Sequence, residues 1–215
     1  MKKFSLALTI LTAVSFAAQA QTVGSANVMG YTKITIPSNE YAFVALNFET
    51  TNNTINDLFG DLPNSSKIIL WNTSIQDYDP AIQKGRSGWG AAGTNQIKIG
   101  QGVFVLLPPD VEETVLFSGD VLNTGTTTVY SVNGYSPLAF PYSSETYFTN
   151  TALAKTAANS DKVSFWVNND WVSYQKGRSG WDVDVSSVKI KLGEGFFYET
   201  STGKGVDEVR PYSLD

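Results

Sequence analysis

Apolar and polar positions alternate over short stretches along most of this chain. Residues 31–36 alternate and are stopped by Pro37, and 41–48 is an apolar run of strand length, rich in aromatic and β-branched residues. Both patterns fit strands, whose side chains alternate faces, better than helices, whose apolar positions recur every three to four residues. The same reading holds for 67–71, 103–107, 163–167, 171–174 and 188–192, while 114–122 and 126–132 read as strand, turn, strand. Two stretches predict short helices instead. Asn53-Thr54 can cap 55–58 and Asn150-Thr151 can cap 152–158, their side-chain oxygens accepting from the free N–H groups of the first turn.

Repeats organise the pattern. Gln83-Lys84-Gly85-Arg86-Ser87-Gly88-Trp89 recurs letter for letter as Gln175-Lys176-Gly177-Arg178-Ser179-Gly180-Trp181. At nearly the same spacing, 99–104 (IGQGVF) matches 192–197 (LGEGFF), 67–72 matches 162–167, and 40–46 pairs with 134–140. Four landmarks in one order predict a duplicated unit. Many short strands separated by turns favour closed β architectures. The expectation is therefore a mainly β protein of two tandem, packed, β-sandwich or barrel-like lobes with short helices, covering 21–117 and 118–215. Residues 1–20 have the layout of a secretory signal peptide: Lys2-Lys3, an apolar stretch over 4–17, then Ala18-Gln19-Ala20. The protein is expected outside the cytoplasm, periplasmic or extracellular, with no membrane insertion of the mature chain.

Composition narrows the chemistry. With Cys 0 and His 0, the chain has no thiolate nucleophile, disulfide, histidine metal centre or Ser-His-Asp triad. Lys+Arg 15 against Asp+Glu 20 gives a net charge of −5, which speaks against binding the phosphate backbone of nucleic acids. Glycoside hydrolysis needs only two carboxylates, so the local pairs Asp77/Asp79, Glu112/Glu113, Asp182/Asp184 and Asp207/Glu208 keep a histidine-free hydrolase open. None of them recurs at a matching place in the other copy. Asp182-Val183-Asp184 lacks the further oxygen ligands of a calcium loop, and no cofactor or metal is expected.

The repeated heptapeptide reads in two ways. Gly85, Ser87 and Gly88 can form a turn that drops Trp89 onto the core, with Gly177, Ser179, Gly180 and Trp181 doing the same in the second copy. Alternatively Gln83, Lys84, Arg86 and Trp89, with Gln175, Lys176, Arg178 and Trp181, form two recognition loops. In these an indole stacks on a sugar ring while the amide and guanidinium bind hydroxyls or a uronate. The ligand is then an extracellular glycan, or another copy of the chain.

The order of landmarks resembles a group of uncharacterised exported bacterial proteins with a duplicated β-rich repeat. The residues that carry the likeness are Gly30-Tyr31, Asp57-Leu58-Phe59, Lys67 to Trp71, Gly88-Trp89 and Gly100 to Phe104. In the second copy they are Gly134-Tyr135, Lys162 to Trp166, Gly180-Trp181 and Gly193 to Phe197, without the Asp-Leu-Phe element. The resemblance implies a fold and an export route, and no reaction. The expected function is a secreted, non-enzymatic structural or binding component of the cell envelope or extracellular matrix. The alternatives are a carbohydrate-binding protein using the Trp/Arg loops and, behind it, a histidine-free glycoside hydrolase.

Overall fold

The computed structural model describes residues 28–214, so the expected signal segment lies outside the described residues. The first half runs β1 (Met29–Ile36), β2 (Tyr41–Ala45), α1 (Ile55–Phe59), β3 (Lys67–Ile69), β4 (Trp71–Asn72), β5 (Asp77–Tyr78), β6 (Ile82–Gln83), β7 (Gly102–Leu106) and β8 (Glu113–Asp120). The second runs β9 (Thr126–Ser131), β10 (Gly134–Leu138), β11 (Thr146–Tyr147), α2 (Ala152–Lys155), β12 (Lys162–Val167), β13 (Asp170–Gly177), β14 (Gly180–Trp181), β15 (Lys189–Ile190), β16 (Phe196–Thr200) and β17 (Lys204–Val209). The fold is mainly β, in several small sheets. No helix among the described residues is long and apolar enough to cross a membrane.

In each half the first strand pairs with the last, β1 with β8 and β9 with β17. The larger sheets have the orders β2-β7-β3-β6 and β10-β16-β12-β13-β14, and β4-β5 and β11-β15 form two further pairs. The β1–β8 ribbon extends to Met29 opposite Asp120, so it runs past the expected division between 117 and 118. Both helix caps form as the sequence suggests. Thr54 Oγ1 accepts from Asp57 N at 3.3 Å, and Thr151 Oγ1 accepts from Ala154 N at 3.1 Å. Helix α2 ends at Lys155, short of the expected 158; Thr156 Oγ1 turns back to Ala152 O at 2.8 Å.

Two strands differ from the reading of their pattern. The first half splits the 67–71 run into β3 and β4, and its partner into β5 and β6, where the second half has the continuous pair β12 and β13. Pro80 accounts for this: it lies between β5 and β6 and has no N–H to offer a ladder. The 41–48 run stops being a strand at Ala45 because its backbone is taken by the other half of the chain.

Each half has its own apolar core. The first gathers Ile55 and Phe59 of α1 under Ile68, Val103, Val105 and Phe117; the second gathers Leu153 of α2 under Val163, Phe165, Phe196 and Tyr198. Burying side chains of this size contributes about 1.5–3 kcal/mol each. The halves are tied by reciprocal contacts. Ala45 N donates to Gly193 O at 2.8 Å, and Ala139 N donates to Gly100 O at 2.8 Å. Isolated bridges join Val44 to Glu194 and Gln101 to Leu138. Leu192 packs on the first core, and Ile99 packs on both.

The two Gly-x-Gly segments therefore form a joint. Gly100 and Gly193 have φ of 76° and 85°, the left-handed region open to glycine. The second glycine of each segment allows close approach: a Cβ on Gly195 would lie 3.1 Å from the Gly102 Cα, and a Cβ on Gly102 only 2.6 Å from the Phe43 ring. Phe43 cannot swing aside, since it is 6% exposed and stacked on Phe197.

Like Asp161, Glu208 is a buried carboxylate of the second half, 3% exposed. Its two oxygens accept from Ala152 N and Leu153 N, both at 2.8 Å, closing the start of α2. Burial raises its pKa and outweighs the lowering by the two N–H groups and Lys155.

Two outcomes follow from these packings. Gly102→Ala lowers stability by about 1–3 kcal/mol through overpacking, whereas Gly85→Ala, whose Cβ would meet only Gly88 O at 3.8 Å, changes it by less than about 0.5 kcal/mol; urea denaturation measures both. Because folded Glu208 keeps its proton to higher pH than the unfolded chain does, its contribution to stability falls as pH rises from the ordinary carboxylate range through the raised value. Melting curves across that range show wild type losing stability relative to Glu208→Gln as pH increases.

Candidate functional site

The repeated heptapeptides fold as two tight hairpin turns. Gly85 and Gly88 exchange backbone hydrogen bonds of 2.9 and 3.1 Å, and Gly177 pairs with Gly180. Gly88 and Gly180 take φ of 95° and 127°, which explains the glycine. Both tryptophans turn inward. Trp89 is 4% exposed and donates Nε1 to Phe59 O at 3.1 Å. Trp181 is half-buried, donates to Ala154 O at 2.9 Å and packs edge-on against Phe148. Trp89 offers no open face at the turn, and the Trp181 ring carries the Lys176 ammonium over it.

Lys84 and Lys176 occupy matching backbone positions, Lys84 N bonding Ser66 O and Lys176 N bonding Asp161 O, both within 2.9 Å. The Lys84 ammonium donates to the Gly60 and Leu62 carbonyls beyond α1, where a cation suits a helix C-terminus. Lys176 sits 5.7 Å over the Trp181 ring. Arg86 and Arg178 are exposed at the turn tips. In the second copy Gln175, Lys176 and Arg178 border a polar hollow of about 410 Å³ with Asp182. Gln83 and Gln175 also stand opposite Lys67 and Lys162 in the sheets, on the faces turned away from the two cores.

The carboxylate pairs proposed from the sequence are engaged locally. Asp79 accepts from Asn72 Nδ2 at 3.0 Å, Asp182 from Gln175 N at 2.8 Å, and Asp207 from Thr128 Oγ1 at 2.6 Å. Glu208 is the buried cap of α2. Glu113 begins β8, Glu112 precedes it, and Asp184 lies in a short 3-10 helix over 183–187; no group of three acidic residues among the described residues could hold a metal ion.

The largest concentration of chemistry lies where the outer faces of the two sheets converge, over the joint. Phe43, Phe104 and Phe197 form a third apolar cluster, with Trp71, Trp166 and Trp171 packed against it. Phe43 and Phe197, one from each half, stack with centroids 5.2 Å apart and planes 1° from parallel. Each half also sends an indole N–H into the other: Trp71 Nε1 donates to Tyr135 O at 3.1 Å, and Trp166 Nε1 to Tyr41 O at 2.7 Å. These bonds hold the indole edges in place, and both rings line the surface between the halves.

Two clefts open between the rings. One, of about 320 Å³, is bounded by Tyr41, Phe104, Trp166 and Trp171, with Ile69 and Asp79 on its wall. The other, of about 280 Å³, is bounded by Tyr135, Phe197, Trp71 and Trp171, with Ser164 and Ser173 on its wall. Tyr78 and Trp171 line both. The rims are accessible, Tyr41, Tyr78 and Tyr135 being 38, 40 and 39% exposed. Burial, assisted by Asp77, pushes the Tyr78 phenol up, and burial assisted by Glu199 does the same to Tyr135, so both stay neutral hydrogen-bonding groups. Lys162 is paired with Glu199 at 3.1 Å beside Tyr135.

An open apolar surface lined by tryptophan and tyrosine with a few polar groups can grip a ring-bearing ligand by stacking and orient it by hydrogen bonds. The sequence pattern did not single out these residues. The available signal was that Trp71 and Trp166 close the repeated Lys-to-Trp strands. Set against known protein families, characterised proteins and solved structures, the chain finds no match.

Proposed function

We propose that this protein is an exported, non-enzymatic binding component of the cell envelope or extracellular matrix, whose ligand is an uncharged glycan held on the aromatic face. Export rests on the layout of residues 1–20. The observation that carries the binding reading is the pair of adjoining clefts that share Tyr78 and Trp171. A sugar ring presents an apolar C–H face that stacks on such rings, and a rim of hydroxyls that suits tyrosine, serine and glutamine. Ser164 and Ser173, bonded to each other at 2.7 Å, and Gln175 extend that polar supply across the second sheet.

Charge selects among glycans. Asp79 lines the first cleft, Glu199 stands beside Tyr135, and the nearby Lys162 is already paired. With a chain charge of −5, these carboxylates disfavour uronates and sulfated polymers and favour neutral chains. The turn motif is, on this reading, a folding device, and the ligand site moves from Trp89 and Trp181 to the faces of the sheets.

A glycan array spanning neutral and acidic oligosaccharides tests the assignment. The expected outcome is retention of neutral glycans, a loss of affinity of about tenfold or more in Tyr78→Ala, and no change in the double variant Arg86→Ala/Arg178→Ala; losing one stacking ring costs on the order of 1.4 kcal/mol. Binding that survives Tyr78→Ala but disappears in the arginine double variant would return the site to the hairpin turns.

A further inference from the structure

The contacts that build the first cleft recur, ring for ring, in the second. Phe104 meets Trp166 edge-on at 5.2 Å and 83°, and Phe197 meets Trp71 at 5.1 Å and 77°. Tyr41 meets Phe104 at 5.8 Å and 81°, and Tyr135 meets Phe197 at 6.2 Å and 83°. Trp166 packs on Trp171 at 4.9 Å, and Trp71 on Tyr78 at 4.8 Å. The indole of Trp166 bonds the Tyr41 carbonyl, and that of Trp71 bonds the Tyr135 carbonyl. Register agrees: Phe104 stands opposite Ile69 in the first sheet as Phe197 stands opposite Ser164 in the second. Exchanging the halves therefore carries one cleft onto the other.

Each cleft is also composite. The first takes its tyrosine and phenylalanine from the first half and Trp166 from the second; the second cleft reverses this. Such reciprocity is what a two-fold, self-complementary interface produces. The walls have diverged where the rings have not. Ile69 and Ala81 line the first cleft, together with Asp79, where Ser164 and Ser173 line the second.

We infer that the two clefts are one site written twice, so that each chain binds two units of the same ring-bearing ligand, one per cleft. The inference rests on the glycan reading above and adds its stoichiometry and geometry. Because a two-fold exchange reverses direction along the face, a directional chain meets the same rings whichever way it lies. The apolar wall of Ile69 and Ala81 and the hydroxyl wall of Ser164 and Ser173 set the difference between the two occupants. A ligand long enough to fill both clefts gains through effective concentration, since its second unit is already tethered beside the empty cleft.

The tryptophans provide separate reporters. Of the two clefts, Trp166 lines the first alone and Trp71 the second alone, Trp171 lines both, and Trp89 and Trp181 line neither. The experiment is a fluorine NMR titration of the full-length mature protein, labelled with 5-fluorotryptophan, using a neutral disaccharide from the class retained on the array. The expected result is saturable shifts at Trp166 and at Trp71, none at Trp89 or Trp181, and two molecules bound per chain. Tyr41→Ala then abolishes the Trp166 response and spares that of Trp71, while Tyr135→Ala does the reverse. Both tyrosines are more than a third exposed, and the unperturbed Trp89 and Trp181 signals confirm that each variant is folded. One molecule per chain, with both reporters lost together in either variant, overturns the inference while leaving glycan binding intact. A mature protein that retains no glycan on the array removes the reading itself, and this inference with it.

Discussion

The structure depends on one constraint: two backbone segments, one from each half, must approach with no side chain between them. Ala45 N reaches Gly193 O and Ala139 N reaches Gly100 O, and these paired bonds hold only because Gly102 and Gly195 leave no Cβ in the way. With the glycines in place, β2 and the end of β10, each an edge strand of its sheet, carry the contacts between the halves, and rings from the outer faces of both sheets meet. The stacked Phe43–Phe197 pair fills the space so created, and the tryptophans bond across it. The aromatic face follows from the joint and belongs to neither half alone.

That dependence also divides the labour among the repeated motifs. The hairpin heptapeptides close each half locally: glycines of positive φ make the turn, Trp89 and Trp181 seal the adjacent helix, and Lys84 satisfies carbonyls beyond α1. The Gly-x-Gly segments join the halves. The Lys-to-Trp strands supply the rings that the join brings together. A polar residue that repeats in a turn, such as Arg86 and Arg178, draws the eye as a recognition feature, yet the same turn is sufficiently explained by its backbone.

Local features were legible in the sequence. The caps at Thr54 and Thr151 form as the pattern indicates, most strands lie within a residue or two of their alternating stretches, and of the turn glycines Gly88 and Gly180, though not Gly85 and Gly177, take positive φ. The misreadings have nonlocal or single-residue causes. Pro80 splits a strand that is continuous in the other half. The 41–48 run ends early because Ala45 bonds a residue far along the chain. The aromatic face escaped for the same reason: Tyr41, Tyr135, Trp71 and Trp166 come together only through contacts across the halves, and no periodicity within a strand reports which neighbour its outer face will meet. Trp89 was visible as a repeated indole, but whether an indole packs or stacks on a ligand depends on what lies beneath it, here Phe59 O.

If the joint governs the structure, the two halves unfold together. Equilibrium urea unfolding followed separately at Trp89, within the first core, and at Trp181, against the second, tests this directly. The account predicts superimposable transitions with one midpoint and one slope. Two separated transitions, one for each tryptophan, would contradict it and would leave the aromatic face as a contact between independent units.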